Sequence, residues 1–364
     1  MNRRRFVTSA ALGGAAFGAV AALPRPAIAQ SPPAVQWRLA SSFPKILTTM
    51  NGGLDYLCAR VAALTDNRFQ ISPAGDLAPP LAVLEAVQAG TVEIGHTAAS
   101  YYVGKDPAFG FAAGVPFGLT ARQQMAWLRQ GGGLELVNEV LKPYGCLGIP
   151  AGNTGAQMGG WYRKEIRTPD DFKGLKIRVA GLAGNVIARL GGAPQLLAGG
   201  DIAAALEKGT VTAAAWVGPY DDEKLGLNKL AKIYHYPGWW AGNETLWATV
   251  NLDRWRDLPA TYKAALETAC YDACGWIQAR YDAENPPALR RLVAGGTQLK
   301  PFPPEILQAG YKATLEVLND LAGKNPLFRK TLDSWKVFRG EEYLWFRTAD
   351  YGFETFVYGQ QAKK

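Results

Sequence analysis

Leu84-Glu85-Ala86-Val87-Gln88-Ala89-Gly90-Thr91-Val92 packs a helical period, a glycine stop and the opening of a strand into nine residues. Pro79 and Pro80 open the helix, Leu84 and Val87 form its buried face, and Gly90 ends it. Working back toward the N-terminus, Arg68–Ser72 reads as a strand closed by Pro73. Leu54, Leu57, Cys58, Val61 and Leu64 lie on one helical face, and Val35–Ala40 is a first strand followed by the loop Ser41-Ser42-Phe43-Pro44. With Thr91–His96 as the next strand, the rhythm is βαβ. That predicts a parallel sheet covered by helices.

The same passage has an echo downstream. Leu206-Glu207-Lys208-Gly209-Thr210-Val211 repeats helix, glycine and strand around a shared Gly-Thr-Val. Aligning the glycines sets His96-Thr97 opposite Ala215-Trp216. Ligands in open α/β sheets sit beyond the carboxyl ends of strands, so the two strand ends are expected to face one cleft. A second lobe is expected to begin near Asn153, with a strand at Leu175–Val179, a helix at Asn185–Leu190, a short strand at Pro194–Leu197 and a helix capped by Asp201. Thr245–Asn251 reads as a strand and Ala260–Tyr281 as a long helix, which Pro286-Pro287 is expected to break. The aromatic-rich segment Phe328–Val357 has two open readings, a tail packed on a neighbouring copy or a helix folded on its own lobe.

With 364 residues the chain can build two sizeable cores, and 48% hydrophobic with 19% charged residues is ordinary for a globular protein. Arg3-Arg4-Arg5-Phe6, the apolar run Ala10–Leu23 and Ala27-Ile28-Ala29 read as an export signal of the twin-arginine type, cleaved near Ala29. The mature protein is then expected in the periplasm, with no other apolar stretch long enough to anchor it. The four arginines of that signal account for half of the formal charge of +8. The remaining basic residues are scattered among acids, which argues against a nucleic-acid partner. Cys58, Cys146, Cys270 and Cys274 read as buried free thiols. His96 and His235 have no metal-ligand spacing, and His96 reads as structural.

Candidate ligand-binding residues cluster around Asn153–Trp161 and Ala215–Trp216. Arg178, at the end of a buried strand, offers a planar fork that binds a carboxylate bidentately. The competing reading is a salt bridge to Asp170, Asp171 or Asp201. Gln157 lies in a glycine-flanked loop and can both donate and accept. Trp216, Trp161, Tyr101, Tyr102, Trp239 and Trp240 are candidate pocket walls. Asp221-Asp222-Glu223 reads as a solvated acidic turn. P-loop, HExxH, GxSxG and Rossmann fingerprints are absent from the sequence, and no cofactor is expected.

Several longer stretches resemble the periplasmic solute receptors of tripartite ATP-independent (TRAP) transporters, in the branch that binds 2-oxo acids such as pyruvate. They are Trp37–Pro44, Gly104-Lys105-Asp106-Pro107, Asn153–Trp161, Gly200-Asp201-Ile202, Trp216–Gly226 and Tyr236–Trp240. The resemblance implies an α/β fold of two lobes with a hinge, an interlobe cleft and a long connecting helix. Its expected boundaries are 30–152 plus 245–285 for lobe I and 153–244 plus 286–335 for lobe II, with a tail at 336–364 that leaves a homodimer open. It also implies that Gln157 and Arg178 hold the ligand beside Trp216, with Tyr101 and Asn153 completing the candidate set, and that the partners are a small carboxylate and the membrane permease. The family's metal site would draw acids from the residue before Trp216 and the residue after Trp240. These are Ala215 and Ala241, which leaves metal use undecided and favours a metal-independent pocket over compensation by Glu244. Two other classes stay in view, an exported cofactor-dependent enzyme and a ligand-sensing subunit.

Overall fold

A computed structural model describes residues 32–75 and 77–361. The export signal read at residues 1–29 lies outside these. The strands, in chain order, are β1 (Val35–Ser41), β2 (Phe69–Pro73), β3 (Ile94–Ala98), β4 (Cys146–Asn153), β5 (Trp161–Tyr162), β6 (Lys176–Arg178), β7 (Ala193–Gln195), β8 (Ala213–Ala214), β9 (Ile233–Tyr236), β10 (Thr245–Asn251) and β11 (Gln298–Pro301). They form two sheets, ordered β2-β1-β3-β10-β4 and β11-β9-β5-β8-β6-β7, both within the unit Ala34–Lys364.

In the first sheet β1 pairs in parallel with β2 and β3, as the βαβ rhythm predicts. The sheet as a whole is mixed, because β10 inserts antiparallel between β3 and β4. β10 follows directly on the segment returning from the second sheet, so it runs against strands that set out from the first. Its alternation serves two cores. Ala248 and Val250 join Leu54, Leu57, Val61, Leu266 and Ala269 under the helices Thr48–Leu64 and Ala260–Ala294. Trp247 faces the opposite cluster with Val83, Val87 and Trp127. Ile177 of the second sheet shares a core with Val186 and Ile187 of the helix Leu182–Arg189, with Phe302, and with Ile306 of the helix Pro304–Lys324.

Gly90 and Gly209 adopt nearly the same left-handed backbone, with φ of +71° and +72°, where a side chain would be strained. The stop also explains why β3 starts later than the sequence predicts. Thr91 and Val92 donate back to the Ala86 carbonyl, at 2.9 and 3.4 Å, and are not free to enter the ladder.

The helix Ala260–Ala294 is continuous for 35 residues, roughly 50 Å, and Pro286 and Pro287 lie inside it. This overturns the expected break. Each proline removes one N–H donor, so the carbonyls of Asp282 and Ala283 lose their helical partners. Tertiary anchors hold the far end in line all the same. Asn285 Oδ1 accepts from the Tyr220 amide at 3.1 Å, Arg291 pairs with Glu223 at 2.6 Å, and Ala288 and Leu292 are buried. The first half of this helix covers the first sheet, while Tyr281 reaches the helix Pro219–Lys224 beyond β8. Three chain segments pass between the sheets: 154–160, 237–244 and the end of this helix.

The aromatic segment near the C-terminus is helical throughout, from Pro326–Phe346 through a wide turn at Arg347–Tyr351 into Gly352–Gln361. Phe328, Leu332 and Trp335 bury its first turns in the body. Among the described residues no helix is long and apolar enough to cross a membrane.

Candidate functional site

β6 is short, and Arg178 is its last residue, so the guanidinium leaves the sheet at the edge where chain crosses between the two halves. The residue is only 3% exposed. Its Nε donates to the Leu197 carbonyl at 3.0 Å and its Nη1 to the Ala215 carbonyl at 2.7 Å. Nη2 is buried without a protein partner, and the guanidinium lies over the Trp216 ring, 4.8 Å from its centroid. Asp170 pairs instead with Lys173, and Asp171 caps its own turn, accepting from the Arg167 and Thr168 amides. Burial pulls Arg178 below the usual guanidinium value, while nearby Tyr101 and Glu244 pull it back up. The two carbonyls fix the fork's direction and leave one edge for an oxyanion.

That edge lines a cavity of ≈ 50 Å³, room for about three or four water-sized positions and so for a molecule of a few non-hydrogen atoms. The wall combines residues just after β3 (Ser100 and Tyr101) with residues just after β8 (Ala215, Trp216 and Val217). The two glycine-matched strand ends thus meet at one pocket. Gln157, Thr154, Phe43, Met50, Trp240, Ala241 and Glu244 complete its polar and aromatic lining. Gln157 is held by its backbone, whose amide donates to the Ala241 carbonyl at 3.2 Å and whose carbonyl accepts from the Gly238 amide at 3.0 Å. A Cβ on Gly238 would stand 2.3 Å from that carbonyl, so glycine is required for this approach. The Gln157 side chain donates to Thr154 Oγ1 at 3.2 Å.

Of the aromatic candidates, Trp216, Tyr101 and Trp240 line the cavity, and Trp161, Tyr102 and Trp239 do not. Trp161 stacks on Tyr234 at 4.0 Å, Trp239 stacks on Phe117 at 5.2 Å, and the Tyr102 hydroxyl accepts from the Leu84 amide. Asn153 also lies outside the lining. Its Oδ1 accepts from the Gly155 amide at 2.9 Å and its Nδ2 faces Asn243 and Thr245, so its side chain shapes the crossing loop. His96 is buried against Phe43, with burial lowering it to about 4. All four cysteines are free, and burial pushes the Cys58, Cys146 and Cys274 thiols up to about 12.

Asp221 and Asp222 depart from the solvated turn expected of them, being 0% and 1% exposed. They occupy the first turn of Pro219–Lys224, where free helix N–H groups favour carboxylates. Aromatic donors finish the site. Trp161 Nε1 and the Tyr234 hydroxyl both reach Asp222 Oδ2 at 2.8 Å, and the Tyr281 hydroxyl reaches Asp221 Oδ2 at 2.6 Å. Sequence shows three acids in a row but not the partners that bury two of them. Glu223 alone behaves as expected, on the surface with Arg291.

Ala215 and Ala241 offer only methyl groups to the cavity, and Glu244 is the one carboxyl among its lining residues. No cluster of three or more His, Cys, Asp or Glu suited to a metal exists among the described residues. These side chains do not fit a cation held by two carboxylates.

A family model described as bacterial extracellular solute-binding protein, family 7 (DctP), matches residues 40–325. The chain is 46% identical, over 99% of its length and 100% of the relative's, to a monocarboxylate 2-oxoacid-binding periplasmic protein of Nostoc sp.. A TRAP transporter solute-binding protein from Bordetella bronchiseptica RB50, solved as a mixed-occupancy dimer with co-purified calcium and picolinate in a bound site and an apo site beside it for comparison, superposes with a TM-score of 0.89. The two are 44% identical, over 91% of this chain and 99% of that one. A TRAP periplasmic solute-binding protein from Pseudoalteromonas atlantica T6c, with sodium and pyruvate bound, gives 0.86 at 34% identity, over 88% and 98%. These relatives are receptors of the two-lobe α/β class. The chain belongs to family 7 of the bacterial extracellular solute-binding proteins, the DctP family.

Proposed function

We propose that this protein is the periplasmic receptor of a TRAP transporter, capturing a small monocarboxylate of the 2-oxo acid class and delivering it to the membrane permease without transforming it. The observation that carries this reading is Arg178, a buried guanidinium in a small cavity with two nitrogens used by carbonyls and the third unpartnered. A buried charged donor without a partner costs on the order of 1–3 kcal/mol or more, and a bound carboxylate would offset that cost. Gln157, Trp216 and Tyr101 are assigned to the ligand alongside it, and Asn153 to the loop that presents Gln157.

Lobe I would comprise residues 30–152 and 245–285, and lobe II residues 153–244 and 286–335. Closure about the three crossing segments would bury the acid and alter the surface offered to the permease. Export through the twin-arginine signal, with cleavage near Ala29, would deliver the chain to the periplasm. Residues 336–364 are assigned to a second copy of the chain, because Val337, Leu344, Trp345, Phe353 and Phe356 are 61–72% exposed along one helical run. Truncation after Trp335 should convert a dimer to a monomer in sedimentation, and an unchanged sedimentation coefficient per subunit mass would refute the assignment.

A thermal-shift panel of 2-oxo acids, 2-hydroxy acids, dicarboxylates and sugar acids, with and without sodium or calcium, tests the ligand class. An acid at 100 times its Kd should add about 2.7 kcal/mol of stability. The reading fails if no monocarboxylate shifts the melt, or if one is consumed on incubation. Loss of uptake of that acid in a deletion strain would tie the receptor to transport.

A further inference from the structure

Glu244, which the sequence disfavours as a substitute cation ligand, lies in the cavity lining. Its position is fixed by backbone: its amide donates to Thr154 Oγ1 and its carbonyl accepts from the Thr154 amide, both at 3.0 Å. The residue is partly exposed, but its Oε1 is buried and has no protein partner. The same cavity holds the one unpartnered nitrogen of Arg178. Three unused donors, Arg178 Nη2 and the Trp216 and Trp240 indole nitrogens, therefore share one small enclosure with an unused acid oxygen.

Charge bookkeeping shows what a ligand does there. Without ligand, an ionised Glu244 balances Arg178. An acid anion seated on Arg178 takes over that role and leaves Glu244 as a surplus negative charge in the same small cavity, which is costly where water is scarce. Two relatives are described with both a cation, calcium or sodium, and an acid bound. Here the alanines at 215 and 241 remove the side chains that would help hold one. A proton is the smallest cation that restores neutrality.

We propose that Glu244 is the pocket's second binding determinant: it holds a proton while the ligand is seated, donates its O–H to a ligand oxygen, and makes the receptor take up one proton with each acid anion. The proton comes from solvent and no bond of the ligand changes. The charged and titratable groups facing Glu244 are Arg178 from the end of β6 and Tyr101 from the turn after β3, with Ser100 of that turn holding the carboxyl's value down. Asp222 acts one layer further out, through Arg178. Burial already lifts Glu244 to about 7 against the pull of Ser100 and Arg178, and Tyr101 stays protonated throughout the physiological range. This inference rests on the receptor reading and deepens it. It selects ligands with an acceptor oxygen next to the carboxylate, as 2-oxo acids have.

The test is calorimetric titration of the full mature chain with pyruvate, which is ionised throughout, from pH 6 to 9 in buffers of different ionisation enthalpy. Wild type should take up close to one proton per pyruvate at pH 8.5, and its affinity should fall about tenfold per pH unit above neutrality. Glu244→Gln keeps the size and an N–H donor, so its affinity should be flat with pH and its proton uptake near zero. Pyruvate binding without proton uptake, or a Glu244→Gln variant that keeps the wild-type slope, overturns the proposal while leaving the receptor reading standing. Affinity that rises with sodium or calcium in place of proton uptake overturns it too. Absence of pyruvate binding at every pH, with other monocarboxylates also silent, would defeat both. The proton count on wild type needs no variant, so a misfolded substitution cannot rescue the idea.

Discussion

Asp222, buried outside the cavity lining, and Glu244, partly exposed within it, are two carboxyls that the protein treats differently. Asp222 has an indole and a phenol on one oxygen at 2.8 Å and the Val217 amide on the other at 3.2 Å. Glu244 keeps Oε1 without any partner. The first is a structural acid whose valence is filled by the fold; the second is left with capacity for something else. Arg178 shows the same division inside one side chain, with two nitrogens committed to carbonyls and one reserved. In Arg178 and Glu244, though not in every buried group, unfilled hydrogen-bonding capacity coincides with a place in the cavity lining.

If that contrast is right, damage to the two kinds of group should appear in different measurements. Arg178→Ala should give the largest effect, weakening carboxylate binding by about 2–5 kcal/mol, from thirtyfold to several thousandfold in Kd by calorimetry. A variant that binds as wild type does would remove the contrast altogether. Asp222→Ala should act on the fold, because it strands the Trp161 indole, the Tyr234 hydroxyl and the Val217 amide inside the core. A loss of about 2–4 kcal/mol in chemical denaturation is expected, with a smaller effect on affinity than Arg178→Ala. The reverse ranking would merge the two classes.

A finer probe uses pH. Burial raises Asp221 to about 7 and Asp222 to about 6, from an ordinary value near 3.8. A carboxyl raised by folding contributes stability that is full below its unfolded value and is lost as pH climbs through the folded one. Wild type should therefore lose stability relative to Asp221→Asn as pH rises from about 4 to 7. The asparagine can still accept from Tyr281, so the difference isolates ionisation. Parallel stability curves for the two proteins would show that Asp221 does not titrate in that window. His96, neutral in its apolar site, acts oppositely as pH falls toward about 4, and it is common to both proteins.

Much of this was readable in the chain because the cues were local. The strand Thr245–Asn251 lies where its apolar run predicts, and the matched glycines give two left-handed stops with φ within 1° of each other. The position of Arg178 at a strand end follows from the same kind of cue. What stayed hidden depended on partners far away in sequence. Pro286 and Pro287 are breakers by local rules, yet Tyr220 and Glu223 hold the helix straight past them. Asp221 and Asp222 look solvated until Trp161, Tyr234 and Tyr281 arrive from three other segments. Trp161 itself looks like a pocket wall and turns out to be one of those donors. Glu244 stands out in the sequence only as a disfavoured substitute for the missing cation ligands, and the enclosure shared with Arg178 is what marks it as facing a ligand.

The central claim is that Arg178 grips the carboxylate of an acid held between the two sheets. A crystal structure of the protein with pyruvate tests it most directly. The account predicts a carboxylate oxygen within hydrogen-bonding distance, about 2.7–2.9 Å, of Arg178 Nη2, with the ligand's other oxygen toward Glu244. Pyruvate seated elsewhere, with Nη2 still unpartnered, would contradict it.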